Sequence, residues 1–169
     1  PTVNVTSSAA VTMDTSTAFT GLTTLNTNVS GAASAITAAA TTNINSTLTA
    51  QAATNSTVDG GNNVTVTATG QTTGTINVGG TTASAGTVTV VSDGGAAGAT
   101  MGAVNVDGGT TINVTQTATD HAVNTTATQG TMGLTGNAST TSVSATQSAA
   151  ATAAAAVKGV VNGAVTIAD

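Results

Sequence analysis

The hydrophobic positions of this chain come in short alternating runs. Val3-Asn4-Val5, Val64-Thr65-Val66, Ile76-Asn77-Val78, Val88-Thr89-Val90, Val104-Asn105-Val106 and Ile112-Asn113-Val114 share one form. A β-branched residue, a polar Asn or Thr, then another apolar residue gives a period-2 strand with one buried face. Gly60-Gly61, Gly79-Gly80, Gly94-Gly95 and Gly108-Gly109 fall between the runs and read as turns. Ala164 to Ala168 reads as a final strand. The Ala-rich stretch 32–40 is broken by Ser34, Ile36 and Thr37, so small-residue packing in a strand or turn is expected there. For Ala149 to Val157, strand or loop is favoured over a short helix because the flanks read as β.

Segments also recur. Asp59-Gly60-Gly61-Asn62-Asn63-Val64-Thr65-Val66-Thr67 matches Asp107-Gly108-Gly109-Thr110-Thr111-Ile112-Asn113-Val114-Thr115. Thr81 to Val88 matches Thr125 to Met132, and Ile112 to Ala118 is echoed by Val143 to Ala149. The first two matches suggest a unit of roughly 44–48 residues built of stacked supersecondary elements. The expected organisation is an N-terminal β segment (1–58) and two related repeats (59–106 and 107–150). A C-terminal strand segment (151–169) follows, whose fold is expected to continue past the last strand. The fold class is all-β. A parallel β-solenoid with irregular coils is the first architecture, and a Thr-rich β-sandwich is the alternative.

Composition narrows this further. Of the 169 residues 39% are hydrophobic, but much of that fraction is Ala, and only 4% are charged. Thr supplies roughly a quarter of the chain. Large apolar side chains, each contributing about 1.5–3 kcal/mol on burial, are few, so a thin core is feasible and a thick one is not. There is no Cys, Trp, Tyr, Glu or Arg, and there is one each of Phe19, Lys158, His121 and Pro1. A net charge of −5 with a single Lys argues against nucleic-acid partners, which need several basic side chains. It also disfavours an anionic membrane surface, and no run approaches the roughly 20 apolar residues of a membrane helix. A start at Pro1 reads as a processed or excised segment.

Catalysis is hard to assemble from this inventory, and no enzyme is expected. A Ser-His-Asp site would have to use His121, which directly follows Asp120, and neighbours in a strand point to opposite faces. Zinc is disfavoured with one His and no Cys. The Gly94 to Gly98 segment lacks the Gly-Lys-Ser/Thr of a phosphate loop and reads as a turn. Asp59, Asp93 and Asp107 each precede Gly-Gly. Asp-Gly supplies turn geometry by itself, and calcium coordination by these three carboxylates is the competing reading. Calcium is the one cofactor considered, although the Gly-Gly-x-Gly-x-Asp repeat of calcium-binding β-rolls is absent. Asn-x-Ser/Thr sequons occur at Asn4, Asn28, Asn45, Asn55, Asn63, Asn113, Asn124 and Asn137, and about half of them are expected by chance in so Ser/Thr-rich a chain. Thr-x-Thr rows such as Thr87-Val88-Thr89 raise ice binding, against which the uneven spacing of the runs counts.

The runs Phe19 to Leu25, Val58 to Thr67 and Val157 to Ile167 resemble the Thr/Ala/Gly-rich β-strand repeats of bacterial surface-layer and large adhesin-like proteins. The resemblance implies export to the bacterial cell surface, self-association into a lattice or filament, and often calcium dependence. The expected function is therefore a structural subunit or fragment of a self-assembling extracellular layer, sheath or fibre. Its expected partner is itself, with cell-surface polysaccharide as a second candidate and no membrane insertion. An adhesin-type surface binding module is the alternative. Such a module predicts a site lined by stacking rings, and Phe19 is the only aromatic residue.

Overall fold

A computed structural model of the chain describes residues 1–95, 99–120, 126–150 and 159–169. Its strands, in chain order, begin with β1 (Thr2–Ser7), β2 (Val11–Asp14), β3 (Thr24–Ser30), β4 (Ser34–Ala38) and β5 (Asn43–Thr49). They continue with β6 (Ser56–Gly60), β7 (Val64–Thr69), β8 (Ile76–Val78), β9 (Thr87–Asp93), β10 (Val104–Asp107) and β11 (Thr111–Thr119). The last are β12 (Ala127–Thr128), β13 (Met132–Thr135), β14 (Ser142–Ala150), β15 (Val160–Val161) and β16 (Val165–Ala168). No helix occurs among the described residues.

The strands form two seven-stranded sheets. The front sheet runs β1-β3-β5-β7-β9-β11-β14 and the back sheet β2-β4-β6-β8-β10-β13-β16. The chain alternates between them, one front and one back strand per coil, and each strand pairs in parallel with its counterpart in the next coil. This is a parallel β-solenoid. The sandwich alternative fails because every strand pair joins consecutive coils in parallel, which hairpin-connected antiparallel sheets do not do.

Register is strict although coil length is not. Asn26 stacks on Asn45, 19 residues later, while Thr117 stacks on Ser148, 31 residues later. The variation is absorbed in the turns. The front-to-back connections lengthen along the chain, from residues 8–10 and 31–33 through 50–55 and 70–75 to 94–103, 120–131 and 151–164. The two longest carry a small third sheet, β12 paired with β15. The molecule therefore changes from a two-sided coil at its N-terminal end to a three-sided one at its C-terminal end.

Period-2 alternation explains the core. On the front sheet Leu25, Ile44, Val64, Val88 and Ile112 stack in one inward column, each at most 1% exposed. On the back sheet Ile36, Val58, Val78, Val106 and Leu134 form the facing column. The core is thus one side chain deep from each sheet, as thin as the composition requires. Two polar residues interrupt the next inward column, Thr27 and Ser46, and the Thr27 hydroxyl bonds the Ser46 hydroxyl at 3.2 Å. Under the third sheet Met101, Ala118 and Ala127 make a separate small cluster against Val160.

The matched segments fall into place on this frame. Val64, Val88 and Ile112 are successive members of one column, so the Asp59 and Asp107 segments lie two coils apart. The echo of Ile112 to Ala118 in Val143 to Ala149 is a stack of adjacent rungs, paired residue by residue. The Thr81 and Thr125 segments do not stack: Val88 belongs to the front sheet and Met132 to the back one, and Thr125 lies outside the described residues. Ala149 and Ala150 end β14, and the rest of the second Ala-rich stretch, 151–157, is likewise outside them. The first Ala-rich stretch contains strand β4, as expected.

One corner depends on glycine. Gly74, Gly102, Gly130 and Gly163 each stand two residues before a back-sheet strand and stack on one another from coil to coil. A Cβ on Gly102 would overlap the carbonyl of Gly74, one on Gly130 that of Gly102, and one on Gly163 that of Gly130. The carbonyls of this column point inward, and interior glutamines satisfy them. Gln71 donates to Gly74 O, Gln116 to Gly102 O at 2.9 Å and Gln147 to Gly130 O at 3.1 Å. Without these amides the buried carbonyls would each cost about 1–3 kcal/mol.

Gly102→Ala is expected to force coils apart and lower the denaturation midpoint by an amount equivalent to about 3 kcal/mol or more. Gly80→Ala, where an added methyl meets nothing within 4 Å, should shift it by less than about 0.5 kcal/mol. Equal effects in a chemical-denaturation series would contradict the close stacking of this column.

Candidate functional site

The three Asp-Gly-Gly segments sit at two different places. Asp59 is the last residue but one of β6 and Asp107 ends β10, both at the back-to-front corner. They share a column of the back sheet, with Gly79 of the intervening coil between them. Asp93 ends β9 in the front sheet, at the opposite corner. The structure therefore does not bring Asp59, Asp93 and Asp107 together, and among the described residues no three His, Asp or Glu side chains converge.

Local geometry shows what two of these carboxylates do. Asp59 Oδ1 accepts hydrogen bonds from the backbone N–H of Thr81 at 2.8 Å and of Thr82 at 3.3 Å, one coil further on. It fastens its own corner to the next. Asp93 Oδ1 accepts from Gly95 N–H at 2.8 Å, a side-chain turn within its own segment. Gly60, Gly61, Gly108 and Gly109 all have positive φ, between 72° and 113°, which explains why each of these two corners needs a Gly pair after Asp. The turn role thus has direct partners at Asp59 and Asp93.

Other acidic groups behave similarly. Asp14 Oδ1 accepts from the Ser16 hydroxyl at 2.5 Å and its N–H at 2.9 Å. The hydroxyl bond first, and the backbone bond second, hold its carboxyl below the usual carboxylate range. Asp120 is buried and accepts from Gly159 N–H at 3.0 Å, tying the third side together. His121 and Lys158, the only imidazole and the only amine side chain, lie outside the described residues, as do sequon Asn124 and residues 96–98 of the Gly-rich segment.

The outward faces carry side-chain ladders. On the front sheet Asn26 Nδ2 donates to Asn4 Oδ1, and Asn45 Nδ2 to Asn26 Oδ1, both at 2.8 Å. On the back sheet Asn105 Nδ2 donates to Asn77 Oδ1 at 2.8 Å. Sequon residues Asn55 and Asn63 act as fasteners instead: their side-chain oxygens accept the N–H of Thr75 and Thr87 in the next coil, each at 2.9 Å. Next to the Asn77–Asn105 pair the face dips, because Gly133 continues that column without a side chain. The resulting hollow, about 300 Å³, is lined by Asn77, Asn105, Asp107, Gly133 and Thr135. It offers amide donors and acceptors, a carboxylate and a hydroxyl, which suits a neutral hydroxylated ligand.

The interior glutamines are the functional group that sequence reading missed. Gln51, Gln71, Gln116 and Gln129 are all at most 2% exposed. Gln129 donates to two carbonyls, Gln116 O at 2.9 Å and Ser148 O at 2.8 Å, and Gln51 to two others, Val29 O and Thr49 O, each at 3.4 Å. The signal was available: Gln129 stands directly before Gly130 and Gln71 three residues before Gly74, both glycines of the stacked column, in a chain otherwise short of long polar side chains.

Asp59→Ala should cost about 1 kcal/mol through loss of the inter-coil fastener, while Asp59→Asn, which keeps an acceptor oxygen, should cost clearly less. The two denaturation midpoints, read with calcium and with chelator, check this. Equal losses in both variants, seen only with calcium present, would make Asp59 an ion ligand rather than a turn fastener.

Comparison with models of known protein families found no match, and no curated protein shows significant similarity to the chain, so its functional reading rests on its own residues.

Proposed function

We propose that this chain is a structural segment of a self-assembling extracellular layer, sheath or fibre at a bacterial surface. The observation that carries the reading is the unbroken register of the coils. Each of the seven front-sheet strands repeats the same inward and outward positions whatever the coil length. Such a stack extends by repetition, about 4.8 Å per coil, and needs no thick core. The outward columns of its front sheet are mostly Thr, Asn and Ser, and Asp93 is the one charged residue within the front-sheet strands. Among the described residues no strand carries a Lys, the side chain that commonly blocks edge pairing. The resemblance to surface-layer and adhesin-like repeats supports the same location, and copies of the chain itself are the expected partners. Calcium enters this reading only as a ligand of the Asp-Gly-Gly corners.

The chain's chemistry favours scaffolding over catalysis, since its carboxylates fasten turns and its amides satisfy neighbouring coils. Purified protein examined by negative-stain microscopy and light scattering should form filaments or sheets over a range of ionic conditions. Monodisperse monomers under all of them would refute the proposal.

A binding role has one observation in its favour, the hollow beside Asn77 and Asn105. In that reading Asn105→Ala reduces retention on cell-surface polysaccharide several-fold without changing the denaturation midpoint by more than about 0.5 kcal/mol. Unchanged retention, or none by the unaltered chain, removes it.

A further inference from the structure

We propose that the outer face of the front sheet is an ice-binding surface. This activity goes beyond the structural role above and does not depend on it.

The face is a two-dimensional lattice of small polar groups. One outward column passes from Asn4 and Asn26 through Thr65 and Thr89 to Asn113 and Ser144. The next, two residues further along each strand, passes from Thr6 and Asn28 through Thr47 and Thr67 to Thr115 and Thr146. Rungs lie about 4.8 Å apart and the two columns about 6.8 Å apart. Both repeats are close to those of the oxygen atoms on a prism face of hexagonal ice. The uneven spacing of the runs, which counts against ice binding in the sequence, does not reach this face. Steps as different as 19 and 31 residues are absorbed in the turns, and the outward positions stay in register.

The groups on this face are free to take water. The hydroxyls of Thr65, Thr67, Thr89 and Thr115 have no hydrogen-bond partner among the described residues. At the corners, by contrast, the hydroxyls of Thr54, Thr140 and Thr141 each donate to a carbonyl. Asn26 spends one N–H on Asn4 and one lone pair on Asn45, which leaves a second N–H and a second lone pair for water. These groups are also held in place. Thr is stiff at χ1, and the ladder bonds fix the amides, so little side-chain freedom is lost when water orders on them. Between the two columns a trough of about 300 Å³, bordered by Asn26, Asn28, Asn45 and Thr47, has room for a file of waters.

Charge selects the occupant. Ice excludes ions from its lattice, and neither column carries an ionisable residue. Asp93 stacks with Thr69 and Thr117 in the last outward column and accepts from Gly95 N–H at 2.8 Å. The front-sheet strands contain no Gly and no aromatic residue, so the columns have no gap and offer no ring for a sugar to stack on. The back sheet lacks this match. Its outer face dips at Gly133 and carries Asp59 and Asp107.

Thermal hysteresis and ice-crystal shape, measured on the unaltered chain, test the inference. A gap between melting and growth temperatures and faceted crystals are expected. Thr65→Tyr and Thr89→Lys, in the middle of the front face, should each lower the hysteresis several-fold. Thr57→Tyr and Thr57→Lys, outward on the back sheet, should leave it unchanged. Circular dichroism and the denaturation midpoint check the fold of every variant, and Tyr, which favours strands, keeps the comparison valid where Lys disturbs one. Round crystals and no hysteresis from the unaltered chain would overturn the inference. Hysteresis that survives both front-face changes in folded protein, or falls equally with the back-sheet ones, would overturn it too. Each of these results leaves the assembly reading intact, and a chain that binds ice without forming filaments sinks that reading alone.

Discussion

The whole molecule hangs on one constraint: each coil must lie on the last in register, at the separation of hydrogen-bonded parallel strands. At about 4.8 Å there is little room for mismatch, so most positions of the coil become columns of like residues. The central inward column of each sheet is Val, Ile and Leu, and most outward positions of the front sheet are Thr, Asn and Ser. At the corner where the chain crosses from front to back, the approach is so close that only Gly fits at four successive coils. The inward carbonyls that this close approach creates are then met by Gln amides, the longest uncharged donors the chain has. Low charge follows from the same constraint, because a charged column would repeat one sign every 4.8 Å or so. The composition, unusual for a globular domain, is what stacking demands.

Much of this was legible in the sequence, and the parts that were not share a cause. The Val-Asn-Val type runs announced β1, β7, β8, β9, β10 and β11 because both inward positions of each are apolar. β5 and β14 were missed because their inward residues include Ser46 and Gln147, so alternation is blurred. The coil itself was hidden by its variable length. The clearest internal match skipped a coil, because Gly79 stands where the two matching coils have Asp59 and Asp107. The glycine column was read as punctuation, since nothing in a sequence distinguishes a Gly that makes a turn from a Gly that makes room.

The candidate site was legible only in part. Asp59, Asp93 and Asp107 drew attention by their shared Gly-Gly context, but the context reflects corner geometry, and Asp93 lies in the front sheet while the other two lie in the back sheet. Two of these carboxylates serve as acceptors for backbone N–H groups, and the amide ladders do the same between side chains. A molecule whose polar groups satisfy one another from coil to coil is suited to extend and to carry load. That is the physical content of the structural reading, and it links the outward Asn ladders to the inward Gln amides.

The register is also the most exposed part of the account. Because the chain has no cysteine, spin labels can be placed at will on one outward column, at residue 4 in combination with 65, 89, 113 or 144. Inter-label distances by pulsed electron resonance should rise in even steps of about 4.8 Å per coil, whatever the number of residues between labels. Distances that instead follow sequence separation, or that fall back toward the first label, would contradict the stacked-coil structure and everything built on it.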